Sequence, residues 1–299
     1  MNLDVLVVNA NPLLNLVHRG AYQPGAVNRV AVLEMTAEGK GVNVARVLAR
    51  HGHAVALTGF AGGHSGRWLR ELIRAEGIHD EFVATAAPLR VGFMATAEDQ
   101  DHPTTVFPNG FPVTPDEYRR LLERIETLCS RARLVIASGS VPDPQTDGLY
   151  AELLTACQRR AVTCWVDAYG TAMEHALAGA VAPALAKPNR QEHQPHFRWE
   201  RVAELHITDG AACIEIQEHG VPRCRVRPPP IAQVNPIGSG DCYLAGLAHG
   251  WLQQWELPRR LRYAAAAGSV NAGRTEVALV SAADVERLLE AAAIEWLQA

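Results

Sequence analysis

The sequence predicts an α/β fold in which strands and helices alternate as in a doubly wound sheet. Three observations point there. Short apolar, β-branched runs of the kind that form buried strands recur at 5–8, 54–57, 134–137, 162–166 and 205–207. Patterns of helical period separate most of them. With 299 residues, 48% hydrophobic and 20% charged, the chain is long enough for one large domain with a small appendage.

From the N-terminus, the strand at 5–8 is followed by a segment, from about 12 to 36, without helical period. A helix is expected over 42–50, a strand over 54–57 and a helix over 67–75. From about 89 to 107 two strand-like runs, Val91-Gly92-Phe93-Met94-Ala95-Thr96 and Thr104-Thr105-Val106-Phe107, have no helix between them. The two irregular segments are expected to pair as a small sheet, a lid over the strand ends of the main domain. The clearest helix begins at Thr114-Pro115-Asp116-Glu117, a capping box with Pro at the first helical position, and places Leu121, Ile125 and Leu128 on one face. Helices over 149–159, 240–253, 258–272 and 282–291 complete the pattern. Pro228-Pro229-Pro230 is too short to link domains and reads as a rigid approach to the glycine loop that follows. Residues 1–299 are thus expected to form a single domain with a lid.

A formal net charge of -4 and the absence of a long basic run argue against nucleic acid as a partner. No stretch reaches the ~20 apolar residues of a membrane span, and the apolar start lacks a basic leader, so a cytoplasmic location is expected. The six cysteines form no C-x-x-C pair and read as reduced packing residues. Neither His51 and His53 nor His193 and His196 have metal-site spacing.

Asn235-Pro236-Ile237-Gly238-Ser239-Gly240-Asp241 runs directly into an apolar helical pattern. Gly238, Ser239 and Gly240 have little or no side chain, so successive N–H groups can converge there and join the unpaired donors of a helix start. Such a place suits a phosphate. Asp241 would be repelled by that anion unless it faces the attacking group and takes a proton from a hydroxyl. Taken alone, the same residues also suit an ordinary N-terminal aspartate stabilised by the helix dipole.

A second glycine segment makes the pattern specific. Gly39-Lys40-Gly41-Val42-Asn43-Val44-Ala45-Arg46 resembles the sugar-site segment of the ribokinase-like (PfkB) carbohydrate kinases, and Gly238-Ser239-Gly240-Asp241 resembles their catalytic loop. With Asn11-Pro12, Asn28-Arg29, Ser138-Gly139-Ser140 and Lys187-Pro188-Asn189-Arg190-Gln191-Glu192 in the same order, the chain is most similar to the branch of 1-phosphofructokinases and tagatose-6-phosphate kinases. The resemblance implies a three-layer α/β/α core, nine-stranded or similar, with a mostly parallel sheet and a β lid. It also implies an ATP-dependent kinase with Asp241 as base and the N–H groups of Gly238, Ser239 and Gly240 on the transferred phosphoryl group. Glu192, with Asn189, would help hold Mg²⁺ through its waters. Thr208 and Gly210 would approach the nucleotide, and Asn271 would line the adenine pocket. Asn15, Gly39, Gly41, Asn43 and Ser138 would meet the sugar. Lys40, Arg29 and above all Arg90 are candidates for a phosphate on it. Lid strands in this family often pair between subunits, so a homodimer is expected. No G-x-x-x-x-G-K-[ST] occurs, so a P-loop enzyme is not supported.

The chain departs from the family pattern at several points. Asn15 stands where the family has Asp, and Glu38 replaces the first of two glycines. Pro236 replaces a Thr, Cys213 replaces a glycine, and the interval from Glu192 to Ile207 is short. These changes surround the transfer loop and leave it whole, which suggests a changed acceptor. A nucleoside or unphosphorylated-sugar kinase, and a non-catalytic sugar-phosphate binder, stay open as alternatives.

Overall fold

The computed structural model describes residues 2–23, 25–96 and 102–297. The first half runs β1 (Leu3–Val8), β2 (Leu13–Arg19), β3 (Glu34–Glu38), α1 (Lys40–Arg50), β4 (Val55–Thr58), α2 (Gly63–Ala75), β5 (His79–Asp80), β6 (Val91–Thr96), β7 (Thr104–Val106) and α3 (Pro115–Cys129). Next come β8 (Ala132–Ser138), α4 (Leu149–Arg159), β9 (Thr163–Asp167), α5 (Gly170–Ala178), β10 (Leu185–Ala186), β11 (Glu204–Asp209), β12 (Cys213–Glu218) and β13 (Val221–Arg227). The chain closes with α6 (Ser239–Leu252), α7 (Leu257–Ala272), α8 (Ala282–Leu288) and β14 (Ala293–Trp296).

The main sheet has ten strands in the order β14-β13-β12-β11-β10-β9-β8-β1-β4-β5. From β11 to β5 every neighbouring pair is parallel, while β12, β13 and β14 join antiparallel. Between β1 and β8 the winding reverses: the chain steps from β1 to β4 in one direction and from β8 to β9 in the other. Right-handed crossovers therefore put α1 on one face and α4 on the opposite face. Helices α1, α6, α7 and α8 pack on one another in sequence, and α3, α4 and α5 do likewise. This is the expected three-layer α/β/α core. The place where winding reverses opens a crevice beyond the carboxyl ends of β1 and β8, the usual position of a ligand in such sheets.

The irregular segments do pair. Strands β3-β2-β6-β7 form a separate four-stranded sheet, with β2 parallel to β6 and antiparallel to β3. β3 extends to Glu38, two residues past the expected limit of 36, and residues 97–101 of the 89–107 segment lie outside the described residues. The capping box at Thr114 forms as expected, its hydroxyl accepting from the Glu117 N–H.

The helix expected at 67–75 starts at Gly63, and the one expected over 282–291 is α-helical only to Leu288. Strands β12 and β13 escaped the search for apolar runs because they alternate. Ile214, Ile216, Cys224 and Val226 point inward between glutamates and arginines. β14 covers the outer edge of that hairpin, which brings the sheet to ten strands, in keeping with the nine-stranded or similar core implied. All six cysteines are free thiols; five are buried and Cys213 is partly so.

Candidate active site

The main cavity, about 720 Å³, lies beyond the carboxyl ends of the central strands and beneath the lid. Segments that are far apart in the chain line it: Asn9 and Asn11 after β1, Gly139 and Ser140 after β8, Asn189 and Glu192 after β10, and the loop at 236–241 before α6.

Two helix starts meet side by side at the edge of this space. α1 begins at Gly39 with no capping side chain of its own; instead Asn9 Oδ1 accepts from the Val42 N–H at 3.1 Å. Gly39 is held at φ 143°, and a Cβ there would lie 2.4 Å from Asn9 Oδ1. At Gly41 the same atom would lie 2.6 Å from Asn9 Cβ, so Gly41 serves close packing behind the cavity and does not line it. α6 begins at Gly238, whose left-handed backbone (φ 81°) turns the chain into the helix.

The amides of Gly238 and Gly240 have no hydrogen-bond partner among the described residues, as an anion cradle requires. Ser239 differs from expectation, since its N–H closes a turn onto the Pro236 carbonyl at 3.2 Å. Asn271 corrects the sequence reading too. It is buried behind the loop and absent from the cavity wall. Its Nδ2 donates to the Ile237 carbonyl (2.8 Å) and to Ser239 Oγ (3.0 Å), and its Oδ1 accepts from the Ala278 N–H (2.7 Å). Asn235, fully buried, grips the loop from the other end by accepting from the Ile237 N–H at 3.0 Å.

Asp241 lies in the first turn of α6, 6% exposed, and Asn43 Nδ2 from α1 donates to its Oδ2 at 2.8 Å. Burial and the nearby Asp167 carboxylate push its pKa up to about 7, against the pull of Lys40, the Asn43 hydrogen bond and Lys187. A carboxyl poised there exchanges protons at neutral pH.

Lys40 bridges two carboxylates, with Nζ 2.7 Å from Glu192 Oε1 and 3.2 Å from Asp167 Oδ1. Burial alone would lower its pKa, yet these carboxylates and Asp241 hold it above the ordinary value. Lys187 Nζ approaches the same Asp167 oxygen, Oδ1, at 3.4 Å. Asp167 and Lys187 were missed as site residues. The available signal was position, for Asp167 ends a buried parallel strand at the carboxyl edge where ligands bind. Asn189 shapes the turn that presents Glu192: its Oδ1 accepts from the Glu192 N–H (2.8 Å) and its own N–H donates to Glu192 Oε2 (3.0 Å).

Glu192 lines the cavity, whereas Asp167 is fully buried behind its wall with Oδ2 unpartnered. The Glu192 carboxylate is the oxygen donor there that suits a magnesium ion keeping most of its waters. Among the described residues no cluster of three or more acidic, histidine or cysteine side chains could enclose a metal alone. Thr208 and Gly210 border the cavity where Pro228, Pro229, Pro230, Ile214 and Ile231 form an apolar wall.

On the lid side, Asn15, Glu38 and Arg90 line the cavity. Arg90 donates to the carbonyls of Pro12 (3.2 Å), Pro108 (2.5 Å) and Asn11 (2.6 Å), tying both lid segments together. No carboxylate neutralises it among the described residues, and burial lowers its pKa. Arg29 is exposed and stands outside the cavity. Ser138 is fully buried below the cavity floor with its Oγ unpartnered, and its neighbours Gly139 and Ser140 reach the space instead.

Comparisons with known proteins identify the family and the fold. The model of the pfkB family of carbohydrate kinases matches residues 13–283. A tagatose-6-phosphate kinase from Staphylococcus epidermidis is 26% identical over 286 residues, 90% of this chain and 92% of the relative. A possible 1-phosphofructokinase from Thermotoga maritima superposes with a TM-score of 0.90 at 21% identity, over 98% of this chain and 99% of its own. Phosphofructokinase-2 from Escherichia coli, in complex with potassium, gives 0.84 at 21% identity over 96% and 98%.

Proposed function

The chain belongs to the pfkB family of carbohydrate kinases, and on that premise we propose that it transfers the γ-phosphoryl group of ATP to a hydroxyl of a sugar phosphate, with Asp241 as catalytic base. The relatives' activities on tagatose 6-phosphate and fructose phosphates support the acceptor class. One observation carries the reading: a buried carboxyl with a pKa of about 7 sits beside unpaired amides at a helix start, where both glycine segments meet.

The Asp241 carboxylate takes the proton of the acceptor hydroxyl as its oxygen bonds to the γ-phosphorus, and the bond from that phosphorus to the bridging oxygen breaks with its electrons leaving on ADP. Asn43 holds the carboxylate in line. The amides of Gly238 and Gly240 stabilise the charge on the transferring oxygens. Lys40 and Lys187 add positive charge. Glu192, presented by the Asn189 turn, would hold Mg²⁺ through its waters, and the ion would supply charge neutralisation to the nucleotide phosphates. Thr208 and Gly210 border the nucleotide side, and Arg90 offers its unneutralised guanidinium to the phosphate of the acceptor.

Residues 1–299 act in this reading as one kinase domain in the cytoplasm. Exposed Val27, Val32, Val91 and Val106 on the lid segments supply an apolar face for a homodimer. ADP release measured over a panel of sugars and sugar phosphates tests the function. Turnover of ketose phosphates that disappears in D241N supports it. Acceptor binding without ADP release would make the chain a non-catalytic sugar-phosphate binder. Preference for nucleosides or unphosphorylated sugars would overturn the assignment of Arg90.

A further inference from the structure

Arg46, the last residue of the glycine segment that opens α1, has no part in the mechanism above and is absent from the cavity wall. It is nonetheless only 4% exposed. Its Nε and Nη2 fork onto the Glu76 carboxylate at the end of α2 (2.6 and 2.9 Å), and Nη2 also donates to the Ala37 carbonyl of β3 (2.7 Å). Nη1 donates to Asn43 Oδ1 at 3.3 Å. A buried guanidinium is costly unless partners hold it, and here α2 and β3 fix its place before it reaches Asn43. Asn43 lies one turn back on the same face of α1, and its other end, Nδ2, is the donor to Asp241.

That last bond has a chemical consequence. An asparagine amide can turn either end to a neighbour, and toward a carboxyl group the two ends act in opposite senses. With Nδ2 forward it donates to the ionised form and favours it; with Oδ1 forward it can only accept from the protonated form and favours that. A guanidinium donates and never accepts, so Arg46 keeps Oδ1 on its own side and leaves Nδ2 for Asp241.

We infer that Arg46 is a positioning residue for the transfer step: anchored by Glu76 and Ala37, it fixes the sense of the Asn43 amide and so keeps the Asp241 carboxylate ionised and in line. Since Ala37 belongs to β3, the same guanidinium ties the edge strand of the lid to the base. The charged groups facing Asp241 are Asp167, Lys40 and Lys187, and those facing Arg46 are Glu76 and Glu38. The Cys242 thiol beside both is kept protonated by burial. None of these other groups bonds to the Asn43 side chain, so the amide's sense depends on Arg46. This inference rests on the kinase reading above.

The test is R46K, which keeps the charge and loses the fork. The acid limb of kcat should move up by about one pH unit, the scale of a hydrogen bond to a charged group. At pH 7 that lowers kcat about fivefold, while KM for acceptor and nucleotide stays within about threefold and most of the loss is recovered at pH 9. In an N43A background R46K should move the limb no further, because the path runs through the amide. E76A is the second variant: removing a negative charge would by itself lower the limb, whereas loosening the fork raises it. A limb unmoved in R46K, a shift that adds to that of N43A, or a downward shift in E76A would each overturn the inference and leave the kinase reading intact. The difference in melting temperature between each protein and its D241N counterpart, followed from pH 5 to 9, reads the native pKa of Asp241 without turnover. If no acceptor is phosphorylated the kinase reading fails, and these melts alone decide whether Arg46 sets the state of Asp241.

Discussion

The transfer loop and the lid floor line the same cavity and are built on opposite plans. At the loop nearly every polar side chain is tied down within the protein: Asn271 holds Ile237, Ser239 and Ala278, Asn235 holds Ile237, and Asn43 holds Asp241. At the lid floor Asn15 has no partner, Glu38 has one hydroxyl, and Arg90 meets only backbone carbonyls. On the proposed function the loop would meet the same phosphoryl group in every turnover, so its donors can be fixed in advance. The floor would recognise one acceptor among many, and unpaired groups reject a ligand that fails to complete them.

The largest effect expected from breaking this contrast is at Asp241. D241N should lower kcat by about 10²- to 10⁴-fold with nucleotide binding retained, as measured by steady-state kinetics and titration. The same substitution should stabilise the fold at alkaline pH. A carboxyl raised from 3.8 to about 7 in the native state favours the folded form fully below pH 4, and that contribution is lost as pH rises through 7. The melting temperature of D241N should thus match the parent's near pH 4 and exceed it at pH 8. A lower melting temperature at pH 8 would mean that the charge is compensated in the folded protein.

The second test sets two asparagines against each other. N271A removes three hydrogen bonds and should cost about 2–3 kcal/mol of stability, whereas N15A removes none and should cost less than about 1 kcal/mol. Equal losses in denaturant melts would erase the distinction between a supported loop and an open floor.

Arg90 sharpens the floor. R90A should raise KM for a phosphorylated acceptor by about 10- to 100-fold and leave KM for ATP within about threefold, since one charge-assisted contact is lost. Equal rises for both substrates would show that Arg90 acts only by clipping Asn11-Pro12 to Pro108.

The smallest effect concerns proton transfer. Activity should fall about tenfold per unit below pH 7 as Asp241 gains its proton. Asp167 raises the Asp241 pKa and Lys187 lowers it, so D167N should move this acid limb to lower pH and K187M to higher pH. Shifts in the same direction would show that the two residues do not act on Asp241 through charge.

Much of the site was legible because glycine motifs and capping boxes are local. Gly39, Gly238 and the Thr114 cap carry their backbone demands in a few consecutive residues, and helix and strand periods need only a short window. Asp241 could be singled out because its neighbours in sequence are also its neighbours in space. The departures at Asn15 and Glu38 were visible as residue types, but that they share one face of one sheet was not.

Sequence alone thus determined the α/β alternation, the two helix starts, the lid segments and the family. Tertiary structure decided what depends on contacts between distant residues. It set Asn271 behind the loop instead of in the nucleotide pocket, left Arg29 outside the cavity, brought Lys187 to its wall and placed Asp167 behind that wall against Lys187. It also brought His53 to His249, 196 positions away, at 2.8 Å, a contact that nothing near His53 announces. The physical reason is common to all of these. Backbone conformation is chosen by neighbours in the chain, whereas the partner and charge state of a side chain are chosen by whichever segments the sheet order brings to it.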